Sequence, residues 1–524
     1  MKASLLAVAA GLLAQAVPSV SQLLGGGALH GRPRGIKQQT HSDPDLVKNG
    51  TFDQLLDHND PGKGTFKQRY WWDASEWGGP GSPIFLMNPG ETAADGYKGY
   101  LEDGTITGRY AKEFGGAVIL IEHRYWGKSI PFAELTAETL QYLDLPQSIF
   151  DMTYFATHVP LEFDDSNGGA NAPASPWILV GGSYSGALAA WTSIIDPGVF
   201  WAYHASSAVV QAIGDFHAYF DAVERAIPRN CSADVRAVVA HVDAVLAAAA
   251  DDDDDDAAIL ELKDMFGLGH LDHHDDFAAG VADPMGAWQN DPDAVFEFCD
   301  EIETSGGSTT SAAGVGLELA LPAYAAYINR TVAARCSQTG ECDTYSDAID
   351  WDQPTYLDGD RQWQWMLCHN PFGWWQVGPP APGADGQQQH VVSSFLRPDH
   401  YERTCPLQFP ETNGFVPGIT RGFTPAHLNL YTGGGWDADF RRVLFVNGEF
   451  DPWIEATVSA RRRPGGPRNS TGDGDAPVLV IRNGMHAPEL VINDVPEELS
   501  VLPDQIAVME RWLGEWVAPS SSSS

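Results

Sequence analysis

The chain is poor in positive charge: 524 residues carry 31 Lys and Arg against 70 Asp and Glu, a formal net charge of -39. Such a surface repels nucleic-acid phosphates and anionic lipid, which excludes both as partners. Beyond the N-terminal segment no run reaches 18 apolar residues, so no membrane span is expected. Cysteine is sparse and nowhere spaced as C-x-x-C, nor is there a paired-histidine spacing, which leaves no metal-ligand pattern. The aspartate run from Asp251 to Asp256 lacks the turn glycine and alternating ligands of a calcium loop and reads as a solvated tip. No metal or cofactor is called for. With 43% hydrophobic residues the chain is globular, and its length suits two lobes. The excess of carboxylates costs stability by self-repulsion at neutral pH, a cost that shrinks as they protonate, so an acidic environment would suit it.

The N-terminus reads as export machinery. Residues 1–16 combine Lys2, an Ala/Leu-rich stretch and Ala14-Gln-Ala16, the features of a secretory signal peptide, and 17–44 form a leader or propeptide with little periodicity. The expected location is extracellular, or alternatively a vacuolar or lysosomal lumen. Cys231, Cys299, Cys336, Cys342, Cys368 and Cys405 form an even set, hence three disulfides among 15 connectivities. Asn49, Asn230, Asn329 and Asn469 open glycosylation sequons. The Ser-rich tail, 519–524, lacks the hydrophobic end of a lipid-anchor signal. Monomer and homodimer both stay open.

Short β-rich runs organise the rest. Thr65 to Trp72 reads as an edge strand, and Ile84 to Met87, Ala117 to Ile121 and Ile178 to Val180 as buried parallel strands alternating with helical segments. A further strand is expected near Ala205 to Ile213. Alanine-rich helix follows, as in Ala233 to Ala250, with a dense aromatic segment at Trp363 to Trp375 that is either lobe core or pocket wall. Sheet character returns at Val443 to Val446 and Pro477 to Ile481, and an amphipathic helix closes the chain with Ile506, Met509, Leu513 and Trp516 on its apolar face. This predicts an α/β fold, a doubly wound sheet of 45–214 and 431–518 with a helical cap inserted at 215–430.

The chemistry centres on Gly181-Gly-Ser183-Tyr-Ser-Gly186, between an apolar strand and a helix-forming run. A serine becomes a nucleophile only beside a base and near N–H donors, and a sharp strand-to-helix turn provides both. The usual G-x-S-x-G has glycine where Ser185 stands, and a βα turn without chemistry fits these residues equally well. The Tyr184 amide and that of Gly90, in the loop after the second strand, are the candidate oxyanion donors. Asp451 and His486 each follow a late strand, in the chain order serine, acid, histidine of α/β-hydrolases.

Together Gly-Gly-Ser183-Tyr-Ser-Gly, Glu122-His-Arg-Tyr-Trp-Gly127, Asn447-Gly-Glu-Phe-Asp451-Pro-Trp453 and Gly484-Met-His486 resemble the serine carboxypeptidase S28 family. That resemblance implies an α/β-hydrolase with a helical cap, cleaving proline-containing peptides after proline at acidic pH. Ser183 would be the nucleophile, His486 the general base then acid, and Asp451 its orienting carboxylate. The aromatic segment resembles the part of the cap that shapes the substrate pocket, making Trp363, Trp365, Met366, Trp374, Trp375 and the neighbouring Trp453 candidate walls. Many members carry glutamate two positions after the matching cysteine; here Cys368-His-Asn370 leaves exo- and endopeptidase modes open. An esterase or lipase using the same triad, or a noncatalytic binding protein on the same fold, are the rival readings.

Overall fold

The computed structural model describes residues 47–166, 168–248, 256–304, 311–340, 342–355, 359–380, 390–468, 474–493 and 495–518. The signal and leader segments, Asp251 to Asp255, Asn469 and the serine tail lie outside them. Ten strands are described: β1 (Lys48–Leu55), β2 (Thr65–Asp73), β3 (Ile84–Asn88), β4 (Ala117–Ile121), β5 (Trp177–Gly182), β6 (Ala202–Ser206), β7 (Ile213–Asp215), β8 (Gly373–Trp375), β9 (Val443–Gly448) and β10 (Val478–Ile481). Eight form one sheet in the order β1-β2-β4-β3-β5-β6-β9-β10. β2 is antiparallel to both its neighbours and every pairing from β4 to β10 is parallel.

The central strands are apolar runs because both faces are covered. Along β3, Ile84 and Leu86 enter one hydrophobic cluster while Phe85 and Met87 enter the other, the alternation a pleated strand imposes. The first cluster continues into helices α2 (Leu145–His158) and α3 (Tyr184–Ile195) and into the inserted helices, and the second into α1 (Ile106–Phe114) and the last helix, Leu502–Glu515. That last helix buries Val508, Met509 and Trp512, with the expected Ile506 and Leu513 partly buried against the same cluster, while Trp516 falls outside it.

One expectation is corrected: Thr65 to Trp72 is an inner strand, and the edge is β1. Its buried alternation at Phe52 and Gln54 uses a glutamine, which no apolar pattern reveals. Gln54 donates to Gln68 Oε1 (2.9 Å) and to the Asp151 carbonyl (3.1 Å), and Gln68 donates to the Glu122 carbonyl (2.8 Å), a polar chain sewing β1 to β2 and β4. The expected strand near Ala205 to Ile213 divides into β6 and the short β7, which pairs with β8 away from the main sheet.

Between β6 and β9 the chain is mainly helical, from Tyr219–Ala226 through Arg229–Ala248, Asp256–Met265, His274–Gly286, Pro292–Thr304 and Leu317–Ile328 to Asp360–His369 and Pro425–Tyr431. The disulfides are Cys231–Cys299, Cys336–Cys342 and Cys368–Cys405, all inside this insertion. Asn49 lies exposed on β1, Asn230 at the start of a helix, and Asn329 exposed where a helix passes into a π-turn.

Beneath the sheet's C-terminal edge sits a fully buried ion pair. Arg124 donates to Asp151 from Nε (2.7 Å) and Nη2 (2.6 Å), and its remaining N–H groups reach the carbonyls of Tyr142, Leu55 and Leu56. Burial alone would raise the Asp151 carboxyl, yet Arg124 and His58 hold it below the ordinary aspartate value. Because breaking a buried pair strands the surviving charge, Asp151→Ala should cost about 3–5 kcal/mol, read as a lower urea midpoint at unchanged slope. A shift under about 1 kcal/mol would show the pair to be dispensable.

Candidate active site

Ser183 sits between β5 and α3 with φ 59° and ψ -127°, a left-handed backbone that costs a non-glycine residue of order 1–3 kcal/mol. The surroundings leave it no alternative. Its N–H donates to the Ser206 carbonyl (2.9 Å), and its own carbonyl accepts from Ala187 N (3.0 Å). A Cβ on Gly181 would lie 2.2 Å from the Ser185 carbonyl oxygen, and one on Gly186 2.6 Å from the Ser206 oxygen. Ser185, standing where glycine is usual, reinforces the turn: its Oγ accepts from Gly182 N (3.0 Å) and donates to Gly182 O (2.8 Å). As the first residue of α3, Tyr184 has an amide with no acceptor within its helix, pointing out of the N-terminus.

Asp451 and His486 follow β9 and β10. The two loops are zipped by Glu449 N to Ile481 O (3.0 Å) and Phe450 N to Gly484 O (2.9 Å), and Gly448 passes so close to the second loop that a Cβ would meet Met485 O at 2.0 Å. Asp451, fully buried, accepts from Trp453 N (2.9 Å), and the same oxygen lies 2.9 Å from His486 Nδ1. A carboxylate only accepts, so Nδ1 carries the proton and Nε2 presents its lone pair. His486 Nε2 and Ser183 Oγ are both buried without a hydrogen-bond partner, and both line one cavity of about 120 Å³.

That cavity is lined by Gly182, Ser183 and Ser185 of the turn, by Met87, Glu91, Tyr97 and Tyr100, by Met485 and Leu490, and by Gln289 and Asn290 of the insertion. None of Trp363, Trp365, Met366, Trp374, Trp375 and Trp453 lines it. Their rings pack the seam between insertion and sheet: Trp363 meets the Tyr184 ring at 5.5 Å, Trp365 donates to the Leu143 carbonyl (3.0 Å), and Trp374 to that of Gln211 (2.7 Å). Trp375 stacks on Tyr401, and Met366 is fully buried. Trp453 is nearest to His486, its ring centroid 6.4 Å from that of the histidine and its Nε1 donating to Gln289 (2.7 Å). Asn370 is structural, accepting from Leu145 N (2.9 Å).

The Gly90 amide, expected as an oxyanion donor, instead donates to Asn88 Oδ1 (2.8 Å), because an asparagine two residues earlier closes an Asx turn there. Of the wall residues that the sequence left unmarked, Tyr97 and Tyr100 carried a signal in Gly96-Tyr-Lys-Gly-Tyr100, two rings three apart and here stacked at 5.9 Å, whereas Gln289 and Asn290 carried none. Among the described residues Asp275, Asp276 and His400 have metal-like proximity, but Arg403 lies 3.6 Å from Asp276 and 3.8 Å from Asp275, so cations of the chain already balance those carboxylates.

A serine on a strand-to-helix turn of a mostly parallel sheet, with a carboxylate-bound histidine opening on the same cavity, defines the class of this protein as an α/β-hydrolase. Comparison with known sequences narrows it. The family model described as serine carboxypeptidase S28 matches residues 54–465. Serine protease vicPa of Bipolaris victoriae is 37% identical over 492 residues, 89% of each chain. A probable extracellular serine carboxypeptidase of Arthroderma benhamiae is 28% identical over 86% of this chain and 64% of its own length, and human thymus-specific serine protease 28% identical over 85% and 82%. The chain belongs to the serine carboxypeptidase S28 family and is a serine-type peptidase.

The crowding at the turn makes a sharp prediction. Gly181→Ala, one methyl group, should abolish activity and secreted yield, while Gly514→Ala, with nothing near its added Cβ, should keep both and gain about 0.5–1 kcal/mol. Equal behaviour of the two variants, in yield and melting temperature, would contradict the packing argument.

Proposed function

We propose that the enzyme is a secreted peptidase that cleaves after proline through an acyl-enzyme on Ser183. The observation that carries this reading is the His486 Nδ1 to Asp451 Oδ1 contact of 2.9 Å, with His486 Nε2 and Ser183 Oγ opening on one cavity. In the proposed cycle His486 Nε2 takes the Ser183 proton as Oγ attacks the carbonyl, then delivers it to the leaving amine; water repeats the sequence on the acyl-enzyme. Asp451 fixes the tautomer and stabilises the imidazolium. The Tyr184 amide, at the positive end of α3, faces the developing oxyanion. For proline, a rigid ring losing little entropy on binding, the stacked Tyr97 and Tyr100 with Met87 and Met485 offer flat apolar walls, the part first assigned to the tryptophans. Export is supported by the signal-like N-terminus, three disulfides and a relative named as extracellular.

A phosphonate probe should label Ser183, and Ser183→Ala should lose about 10⁴- to 10⁶-fold in kcat. On a peptide set with free and blocked termini, cleavage after proline should far outpace cleavage after alanine. Equal rates would reject proline specificity, and ester turnover without peptide cleavage would favour an esterase.

An acidic working range is proposed on the chain's charge and on Asp144, whose carboxyl burial raises from 3.8 to about 6. Between those values the folded state holds more protons than the unfolded, so this stabilisation is complete below about pH 4 and is lost as pH rises through 6. Desolvation pushes His123 and His369 down to about 4 and about 3, and they act in the opposite sense, losing stability as pH falls from 6.5. Comparing wild type with Asp144→Asn cancels them. The variant should melt above wild type at pH 7 and level with it at pH 4; no gain at pH 7 would refute the assignment.

A further inference from the structure

The segment Glu122-His-Arg-Tyr-Trp-Gly127 has no part in the proposed triad, yet its side chains from Glu122 to Trp126 are buried. It leaves the C-terminal end of β4, and its first three side chains diverge to three different elements. Arg124 goes down to Asp151 on α2. The other two go to the loop after β3 and to Tyr184 at the start of α3.

Glu122 accepts six hydrogen bonds with a carboxylate that has no exposure. Two come from Arg69 of β2 (2.8 Å from Nε, 2.5 Å from Nη2), three from Lys128 N, Ser129 N and Ser129 Oγ, and one from Ala94 N (3.1 Å). Ala94 ends the loop that carries Glu91 and Thr92 into the cavity wall. Arg69 also reaches Asp95 (2.6 Å), so the same ion pair holds that loop at a second point. The fit is tight: a Cβ at Gly127, where φ is +59°, would lie 2.0 Å from Glu122 Oε1.

His123 reaches Tyr184, the residue after Ser183. Its Nδ1 lies 2.8 Å from the Arg124 carbonyl, which only accepts, so Nδ1 bears the proton and Nε2 is an acceptor. Nε2 is 3.1 Å from the Tyr184 hydroxyl, which therefore donates to it. Burial drives the imidazole to about 4, so this neutral tautomer persists well below neutrality. The Tyr184 ring is boxed in by Trp363 (5.5 Å) and Phe372 (5.7 Å), leaving the hydroxyl bond to fix where along that box the residue sits.

We infer that Glu122 and His123 are positioning residues, His123 fixing Tyr184, whose amide serves the oxyanion, through the tyrosine hydroxyl, and Glu122 fixing through Ala94 N the loop that brings Glu91 and Thr92 to the cavity beside it. The inference rests on the proposed role of Ser183 and the Tyr184 amide. Its physical content is that an amide stabilises a developing charge only when fixed within a few tenths of an ångström before the reaction, and adjacent residues of one rigid strand end can reference both segments to the sheet. A purely structural clamp would alter stability and leave transition-state binding alone.

The test is a double-mutant cycle on His123→Phe and Tyr184→Phe, read with a proline peptide substrate and with the matching peptide aldehyde, whose carbonyl adds the Ser183 hydroxyl to give a hemiacetal oxygen in the oxyanion site. Each variant should lower kcat about tenfold, leave KM within twofold, and raise the aldehyde Ki about tenfold. The double variant should be no worse than Tyr184→Phe alone, since that change already removes the bond to His123. His123→Gln, whose amide oxygen can accept from the tyrosine, should recover most of the loss, and Glu122→Gln should show the same rise in Ki at constant KM. If His123→Phe is not secreted, Tyr184→Phe with His123→Gln completes the comparison. Additive losses, or kcat falling while the aldehyde Ki stays put, would overturn the inference. An active Ser183→Ala would instead remove the reading beneath it, which keeps the two failures apart.

Discussion

Everything at this site is arranged around the absence of room at the β5–α3 turn. Two glycines have no space for a methyl group, Ser183 sits at φ 59°, and the strand, the helix and the β6 carbonyl close on it from three sides. Strain of order 1–3 kcal/mol is sustainable only where neighbouring contacts over-determine the backbone. Here they do: the Ser206 carbonyl takes the Ser183 amide, and the Ser185 hydroxyl staples Gly182 at both N and O. The departure from glycine at position 185, a weakness when read as a pattern, is a hydrogen-bonding gain in three dimensions.

From that turn the dependence spreads outward. The Tyr184 ring beneath the turn is packed by Trp363 and Phe372 of the insertion, and the helix bearing Trp363 is itself docked on the sheet domain through Arg361 to Leu135 O (2.9 Å), Gln362 to Tyr125 O (3.0 Å) and Trp365 to Leu143 O. On the other flank Trp288 donates to the Phe450 carbonyl (3.0 Å), one residue before Asp451. The insertion is therefore joined to the loops behind both the serine and the acid.

Much of this was legible in the sequence, and the division between what was and was not has physical causes. Strands β3, β4, β5 and β9 are buried on both faces and so appear as unbroken apolar runs; family membership and the α/β-hydrolase fold follow from the motifs at their ends. β1 escaped because its inward positions include Gln54, paying for burial with hydrogen bonds that composition cannot display. The aromatic segment announced itself by density, but density does not say which way a ring faces, and those tryptophans fill a seam while two tyrosines from a 3₁₀ segment line the cavity. The Gly90 amide was misread because glycine advertises a free backbone, whereas the asparagine two residues earlier had already claimed it. Gln289 and Asn290 become wall residues only through the folding of the insertion over the sheet, a long-range event without a local signature.

The position of the insertion has a consequence for how the chain must be made. β6 and β9 are neighbours in the sheet, yet roughly 240 residues separate them, and at about 5–20 residues per second a ribosome needs on the order of 10–50 s to supply the second after the first. Throughout that interval β6 is a terminal strand with an open row of N–H and C=O groups, and its side chains, all buried in the finished fold, lack their cover, the kind of edge that pairs with foreign chains. The nascent hydrolase half must be shielded from its neighbours until the last quarter of the protein has entered the same compartment.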